Sequence, residues 1–289
     1  MSYEIITDSS ANLPEYLIEQ YNVHVLSLVF LVKGKEYKSY TKGEVTDLAQ
    51  FYKMMREKEH VTTSLVNLDS CTTYIRGLLD EGKDLIYLGF SSALSGNYQA
   101  VSMLLEQLKE EYPNQKIYFV DTLSAALGQG LLVYYACKLR EEGKTVEELY
   151  EWVLNNRLHL CHWFTVDDLF FLQRGGRVSH VTAIFGSMLS IKPVMHVDNE
   201  GKLTVVDKAR GRRKSLDALV EAMEKAVTNP EDQEIFISHG DCIEDATYVA
   251  NKVKEHFPVK NVLIHILDPV IGAHSGPGTV ALFFVGKER

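Results

Sequence analysis

The sequence lacks the features that would commit it to several large classes of protein. Its four cysteines (Cys71, Cys137, Cys161 and Cys242) lie far apart and form no C-x-x-C pair. That spacing suits free thiols in a reducing compartment better than a disulfide framework or a zinc site. No apolar run is long enough to span a bilayer. Met1-Ser2-Tyr3-Glu4 has no basic n-region and leads straight into a strand-length run, so a signal peptide is not expected. Together these absences predict a cytoplasmic protein. Walker A and G-x-G-x-x-G sequences are also missing, which gives no sign that the chain itself binds ATP or NAD. No G-x-S-x-G elbow surrounds Ser91, Ser92 or Ser95. There is no low-complexity segment and no short repeat.

What is present is the composition of an ordinary globular protein, 46% hydrophobic and 24% charged, in a chain of 289 residues that can bury a sizeable core. The net charge of −9 argues against non-specific nucleic-acid binding. Basic residues nevertheless crowd the first part of the C-terminal half, from Arg174 and Arg177 to Lys208-Ala209-Arg210-Gly211-Arg212-Arg213-Lys214. A basic face on an acidic protein points to a specific anionic ligand or partner, with solvated loop charges as the alternative.

Strand-like and helical segments alternate. Strands are expected over 3–6, 23–32, 85–90 and 116–120. Helices are expected from Asn12, and over 46–58, 69–79, 97–112, 125–140 and 146–155, with Thr62-Thr63-Ser64 as a loop. This predicts an α/β first half with a mainly parallel sheet, in which ligands lie beyond the carboxyl ends of the strands. Three of those ends are polar: Asp8-Ser9-Ser10, Ser91-Ser92 and Asp121-Thr122. After Asn156 the pattern changes to a strand over 158–166, a hairpin over 191–209, and further strands and helices. The expected organisation is therefore two α/β lobes, residues 1–156 and 157–289.

The run Leu85–Phe90, then Ser91-Ser92-Ala93-Leu94-Ser95-Gly96, reads as a strand, a polar turn and a helix N-terminus. Free N–H groups and partial positive charge gather there, and Gly96 permits close backbone approach, so a carboxylate or phosphate is accommodated. A Ser-rich cap without a ligand fits equally well. Gly272-Ala273-His274-Ser275-Gly276-Pro277-Gly278 reads as a glycine-rich loop between strands that presents N–H groups and an imidazole to an anion. Gln173-Arg174-Gly175-Gly176-Arg177 places two guanidiniums around a diglycine, and a plain turn with surface arginines is its alternative. In His159-Leu160-Cys161-His162, strand alternation puts His162 on the opposite face from His159 and Cys161, which disfavours a metal site. Ser95, His274 and Asp8 or Asp121 make up the parts of a hydrolase triad, so an acyl-ester hydrolase using Ser95 and His274 stays open as a second function.

Taken together, these motifs resemble the DegV family, the fatty-acid-binding proteins that serve bacterial fatty acid kinase. The resemblance rests on Thr7-Asp8-Ser9-Ser10, Ser91 to Ala100, Val120-Asp121-Thr122, Gly175-Gly176-Arg177-Val178-Ser179, Ile191-Lys192-Pro193-Val194, Arg210-Gly211 and Gly272 to Gly278. It implies two α/β lobes with an apolar ligand tunnel, and a head-group site at their interface. It also implies a bound long-chain fatty acid whose carboxylate meets Ser95, Gly96 and the Thr63-Ser64 pair, with His274 as a further donor. The family's Thr-Ser-Gln-Pro-Ser is Thr63-Ser64-Leu65-Val66-Asn67 here, and its Gly-Thr-Tyr is Gly96-Asn97-Tyr98; both changes bear on acyl-chain preference. By the same resemblance the protein has no cofactor or metal of its own and no catalytic role. A separate ATP-binding kinase protein would form the acyl phosphate for phospholipid synthesis, with Arg174, Arg177 and Arg210 facing that partner or the phosphate. Transient membrane contact is compatible with such a role.

Overall fold

The computed structural model describes residues 3–178 and 191–289. The chain begins with β1 (Tyr3–Asp8), α1 (Glu15–Gln20), β2 (His24–Leu26), β3 (Val29–Val32), β4 (Lys35–Lys38), α2 (Leu48–Arg56) and β5 (Val61–Ser64). It continues through α3 (Leu68–Asp80), β6 (Asp84–Gly89), α4 (Asn97–Glu111), β7 (Ile117–Asp121), α5 (Ala126–Glu141) and α6 (Val146–Asn156). The second half contains β8 (Leu160–Thr165), α7 (Phe170–Arg174), β9 (Ile191–Val197), β10 (Leu203–Arg210), α8 (Arg212–Ala226) and β11 (Glu234–His239). It ends with α9 (Ile243–His256), β12 (Asn261–Ile266), α10 (Pro269–Ser275) and β13 (Val280–Val285).

Three sheets result. The first has the order β2-β1-β6-β7, with every pair parallel. All residues of β1 and β6 are buried, as expected for parallel strands covered on both faces. The second sheet runs β10-β9-β8-β13-β11-β12, antiparallel except for the β11–β12 pair. A small antiparallel sheet, β4-β3-β5, completes the set. The α/β architecture is therefore that expected of the sequence, and the β9–β10 hairpin lies where its turn residues placed it.

Helix α5 joins the two large sheets. It packs on β1 and the turn after it, and on β8, β11 and β13 of the second sheet. Its buried residues, including Leu127, Leu131, Leu132, Val133 and Ala136, go round the helix rather than along one stripe. Gly128 permits the approach: a Cβ there would stand 2.0 Å from His162 Nε2 and 2.9 Å from Phe283. One apolar core consequently contains residues from both halves, among them Ile5, Val120, Leu131, Phe164 and Phe283.

Four local expectations need correction. Residues 23–32 form two strands in different sheets, because the chain turns at Ser27-Leu28. There Leu28 N donates to Ser9 Oγ (3.0 Å) and Tyr40 N to Ser27 Oγ (3.0 Å). Thr62-Thr63-Ser64 is part of β5, where buried Val61 anchors the strand and Thr63 pairs opposite Phe30. The first part of the expected Gly272–Gly278 loop, up to Ser275, is helical as the end of α10, since Asp268 caps Ile271 N at 3.0 Å and Pro269 occupies the first turn. The first helix begins at Glu15, and Asn12 is left-handed with φ 53° instead of capping it. Ser179 of the motif Gly175 to Ser179 lies outside the described residues.

Candidate ligand-binding site

A cavity of about 290 Å³ lies between the sheets. Much of its wall is apolar, including Leu28, Phe90, Leu94, Phe164, Leu172 and Phe283. Thr63, Ser64, Ser95, Gly96, Arg177 and His274 also line it.

Each polar group is positioned by a distinct device. Ser95 and Gly96 end the turn from β6 into α4. Leu94 N and Ser95 N both donate to Ser91 O (3.1 and 3.2 Å), and Asn97 N donates to Ser95 Oγ (3.2 Å). Ser95 Oγ thus accepts from the backbone and keeps its own proton to donate. The fully buried Asn97 ties this turn to the segment after β5: its Oδ1 accepts from Val66 N (3.1 Å), while its Nδ2 donates to Asp8 Oδ2 (3.1 Å). Asp8 is itself anchored by Tyr87 Oη (2.7 Å) and Phe90 N (3.0 Å).

His274 comes from the last turn of α10, and its Nε2 lies 2.7 Å from Thr63 Oγ1. Gly175 makes room for the ring, since a Cβ there would stand 2.3 Å from Nδ1. Burial, reinforced by Arg177 and Arg174, holds the His274 pKa down at about 4, so the ring is neutral at pH 7. Arg177 is half-buried; its Nε donates to Leu94 O (3.1 Å) and its Nη1 to Gly175 O. Burial lowers its pKa too, and among the described residues no carboxylate forms an ion pair with it. A half-buried cation with spare N–H groups, a neutral imidazole–hydroxyl pair and a helix N-terminus make a receptor for one carboxylate or phosphate. The apolar wall beside it accepts a hydrocarbon body.

The structure therefore brings Thr63, Ser64, Ser95, Gly96 and His274 to one cavity, and Arg177 lines it as well. Arg174 does not line this cavity. It stacks on Phe170 and Phe171, with ring centroids 5.6 and 5.3 Å from its guanidinium carbon, in a separate cleft with Lys58 and Arg212. Arg210 is exposed at the end of β10. The polar strand ends serve the fold. Besides Asp8, Ser91 Oγ donates to Gly201 O in the β9–β10 hairpin (2.9 Å), and Asp121 accepts from Leu123 N (3.0 Å). Among the described residues no Ser–His–carboxylate chain of hydrogen bonds forms, and no cluster of three His, Cys, Asp or Glu can hold a metal ion. Two contributors were not legible as such in the sequence. Asn97 carried only the signal of a polar residue opening a helix, and His162, weighed as a metal ligand, instead lines the cavity. No helix among the described residues is long and apolar enough to cross a membrane.

Comparison with known proteins places these features in a lineage. A family model described as "Uncharacterised protein, DegV family" matches residues 2–287. A DegV domain-containing protein of Clostridium perfringens is 44% identical over 99% of this chain and 98% of its own. A solved structure from Streptococcus agalactiae, described as a fatty-acid-binding DegV family protein, has a TM-score of 0.85 at 30% identity and covers 100% of both chains. Another, from Thermus thermophilus and reported for fatty acid binding of a DegV family protein, has a TM-score of 0.88 at 27% identity, covering 99% of this chain and 100% of that one. With family model, sequence and fold agreeing over essentially the whole length, the chain belongs to the DegV family.

Proposed function

We propose that this protein binds one long-chain fatty acid, with the carboxylate at Thr63, Ser64, Ser95, Gly96, Arg177 and His274 and the tail along the apolar wall. The observation that carries this reading is the pairing of a half-buried Arg177, which has no carboxylate partner among the described residues, with a mostly apolar cavity; fatty acid binding by the similar Thermus and Streptococcus proteins supports it. Mass spectrometry of lipid extracted from the purified protein tests it, and an absence of acyl lipid followed by no calorimetric binding of palmitate or oleate would refute it. Ser95→Ala and Arg177→Met each remove a charge-assisted hydrogen bond, about 1.5–3 kcal/mol of binding, and are expected to leave the fold intact.

In the fuller form of the reading, a two-lobed carrier (1–156 and 157–289) in the cytoplasm presents the bound carboxylate to a separate ATP-dependent kinase, which forms the acyl phosphate. The carrier performs no chemistry itself. Arg210, exposed and absent from the cavity wall, is the proposed docking contact. Arg210→Ala should retain lipid yet lose acyl-phosphate formation in a reconstituted kinase assay; loss of lipid would place the arginine in the pocket function instead.

A further inference from the structure

Two walls enclose the polar end of the cavity, and they come from segments distant in the chain. Ser95 and Gly96 end the turn after β6, while Thr63 and Ser64 end β5, with Thr63 Oγ1 2.7 Å from His274 Nε2. Among the described residues no hydrogen bond joins Ser95 or Gly96 directly to Thr63 or Ser64. The gap is spanned by Asn97, which is fully buried and lies outside the cavity wall. Its backbone N donates to Ser95 Oγ (3.2 Å), and its side-chain Oδ1 accepts from the N–H of Val66 (3.1 Å), two residues past Ser64. One residue thus holds the Ser95 hydroxyl through its backbone and the β5 wall through its side chain.

Asp8 fixes which way round the Asn97 amide lies. Asp8 is fully buried, and each of its oxygens accepts from N–H donors. Ser10 N (3.2 Å) and Gln129 Nε2 (3.3 Å) donate to Oδ1; Phe90 N (3.0 Å) and Asn97 Nδ2 (3.1 Å) donate to Oδ2. An oxygen placed among such donors only accepts, so the Asn97 amide turns its –NH2 toward Asp8 and its carbonyl toward Val66. Phe90 N belongs to the residue that follows β6, so the same carboxyl also anchors the start of the Ser95 turn.

We propose that Asn97, oriented by Asp8, is a positioning residue that makes the site select a carboxylic acid over a neutral head group on the same tail. The proposal rests on the fatty-acid reading above. A carboxylate presents two acceptor oxygens at a fixed separation and meets donors on both walls at once, so its binding depends on their spacing. A primary alcohol has one oxygen and is satisfied by one wall. A site held at the right width before the ligand arrives loses no binding to the ordering of its donors. Loosening the tie therefore weakens the acid and spares the alcohol, whereas a residue needed only for the fold would weaken both.

The test uses delipidated protein and competition binding of palmitate and 1-hexadecanol. Wild type is expected to bind palmitate about tenfold tighter than the alcohol. Asn97→Ala breaks the tie at one end, and Val66→Pro, which removes the N–H, breaks it at the other. Each is expected to weaken palmitate about tenfold and to leave hexadecanol within about twofold. Coupling also runs in reverse, since a tie that favours the acid is favoured by it. Hydrogen exchange of the Val66 amide in wild-type protein should therefore slow with palmitate and stay unchanged with hexadecanol, a readout that needs no variant to fold. Equal loss of both ligands in the variants, or a Val66 amide that responds alike to both or to neither, overturns the role of Asn97 and leaves the fatty-acid reading standing. Failure of wild type to bind palmitate overturns the fatty-acid reading as well.

Discussion

His274, His265 and Asp268 set opposing pH responses within a few residues of one another. Burial holds both imidazoles down at about 4, so above pH 6.5 they are neutral in folded and unfolded chains alike. As pH falls from 6.5 to 4 the unfolded chain takes up protons that the folded chain refuses, and the stability tied to these rings is lost. Asp268 acts with the opposite sign. Burial pushes its carboxyl up to about 6, so between 3.8 and 6 the folded chain holds a proton that the unfolded chain releases. That group favours the fold as pH falls. Two rings outweigh one carboxyl, and burial also lowers His162, His196 and His239. Ligand-free protein is therefore expected to lose stability between pH 7 and pH 4 in urea unfolding. His274→Asn and His265→Asn should each flatten that profile, and an unchanged slope in both would refute their burial as neutral rings. At this scale the sequence named Thr63, Ser64, Ser95, Gly96 and His274. It could not show that Arg177 would lie in the cavity without a carboxylate beside it, because the pairing of a cation depends on neighbours far away in the chain.

Among the elements, α5 is under the tightest steric constraint. Gly128→Ala puts a methyl group 2.0 Å from His162 Nε2 and 2.9 Å from Phe283, so packed side chains must move. Overpacking of this kind costs about 1–3 kcal/mol. Chemical unfolding should register that loss, and His162→Ala added to Gly128→Ala should recover part of it, giving a non-additive double-mutant cycle. Simple additivity would mean that α5 shifts away from β8 instead. Most helices and the strands of the parallel sheet were legible from period and turn chemistry. The errors share one cause. Segments 23–32, 62–64 and 272–275 were assigned from local composition, whereas hydrogen bonds to Ser9, pairing with β3 and capping by Asp268 decided their conformation.

On the scale of the whole molecule, Arg289 joins the two halves. Its buried guanidinium donates to Leu123 O (2.6 Å) and Ser124 Oγ (2.8 Å) of the first half, and to Leu160 O (3.0 Å) and Asp198 O (3.0 Å) of the second. Arg289→Met leaves these acceptors unpaired and should cost on the order of 3 kcal/mol. Because α5 contributes to the core of both sheets, thermal unfolding of that variant should stay a single transition at a lower midpoint; two separated transitions would show that the halves melt independently. The sequence by itself determined the α/β class, most of the longer helices and strands, the β9–β10 hairpin and the small polar residues at the head of α4, because these follow from local periodicity and backbone chemistry. Only the tertiary structure decided that α5 is pressed between two sheets, that the segment after β5 meets α4 through Asn97, and that Thr63 meets His274. Those contacts join residues up to 211 positions apart, and no local pattern encodes which distant surfaces will share a core.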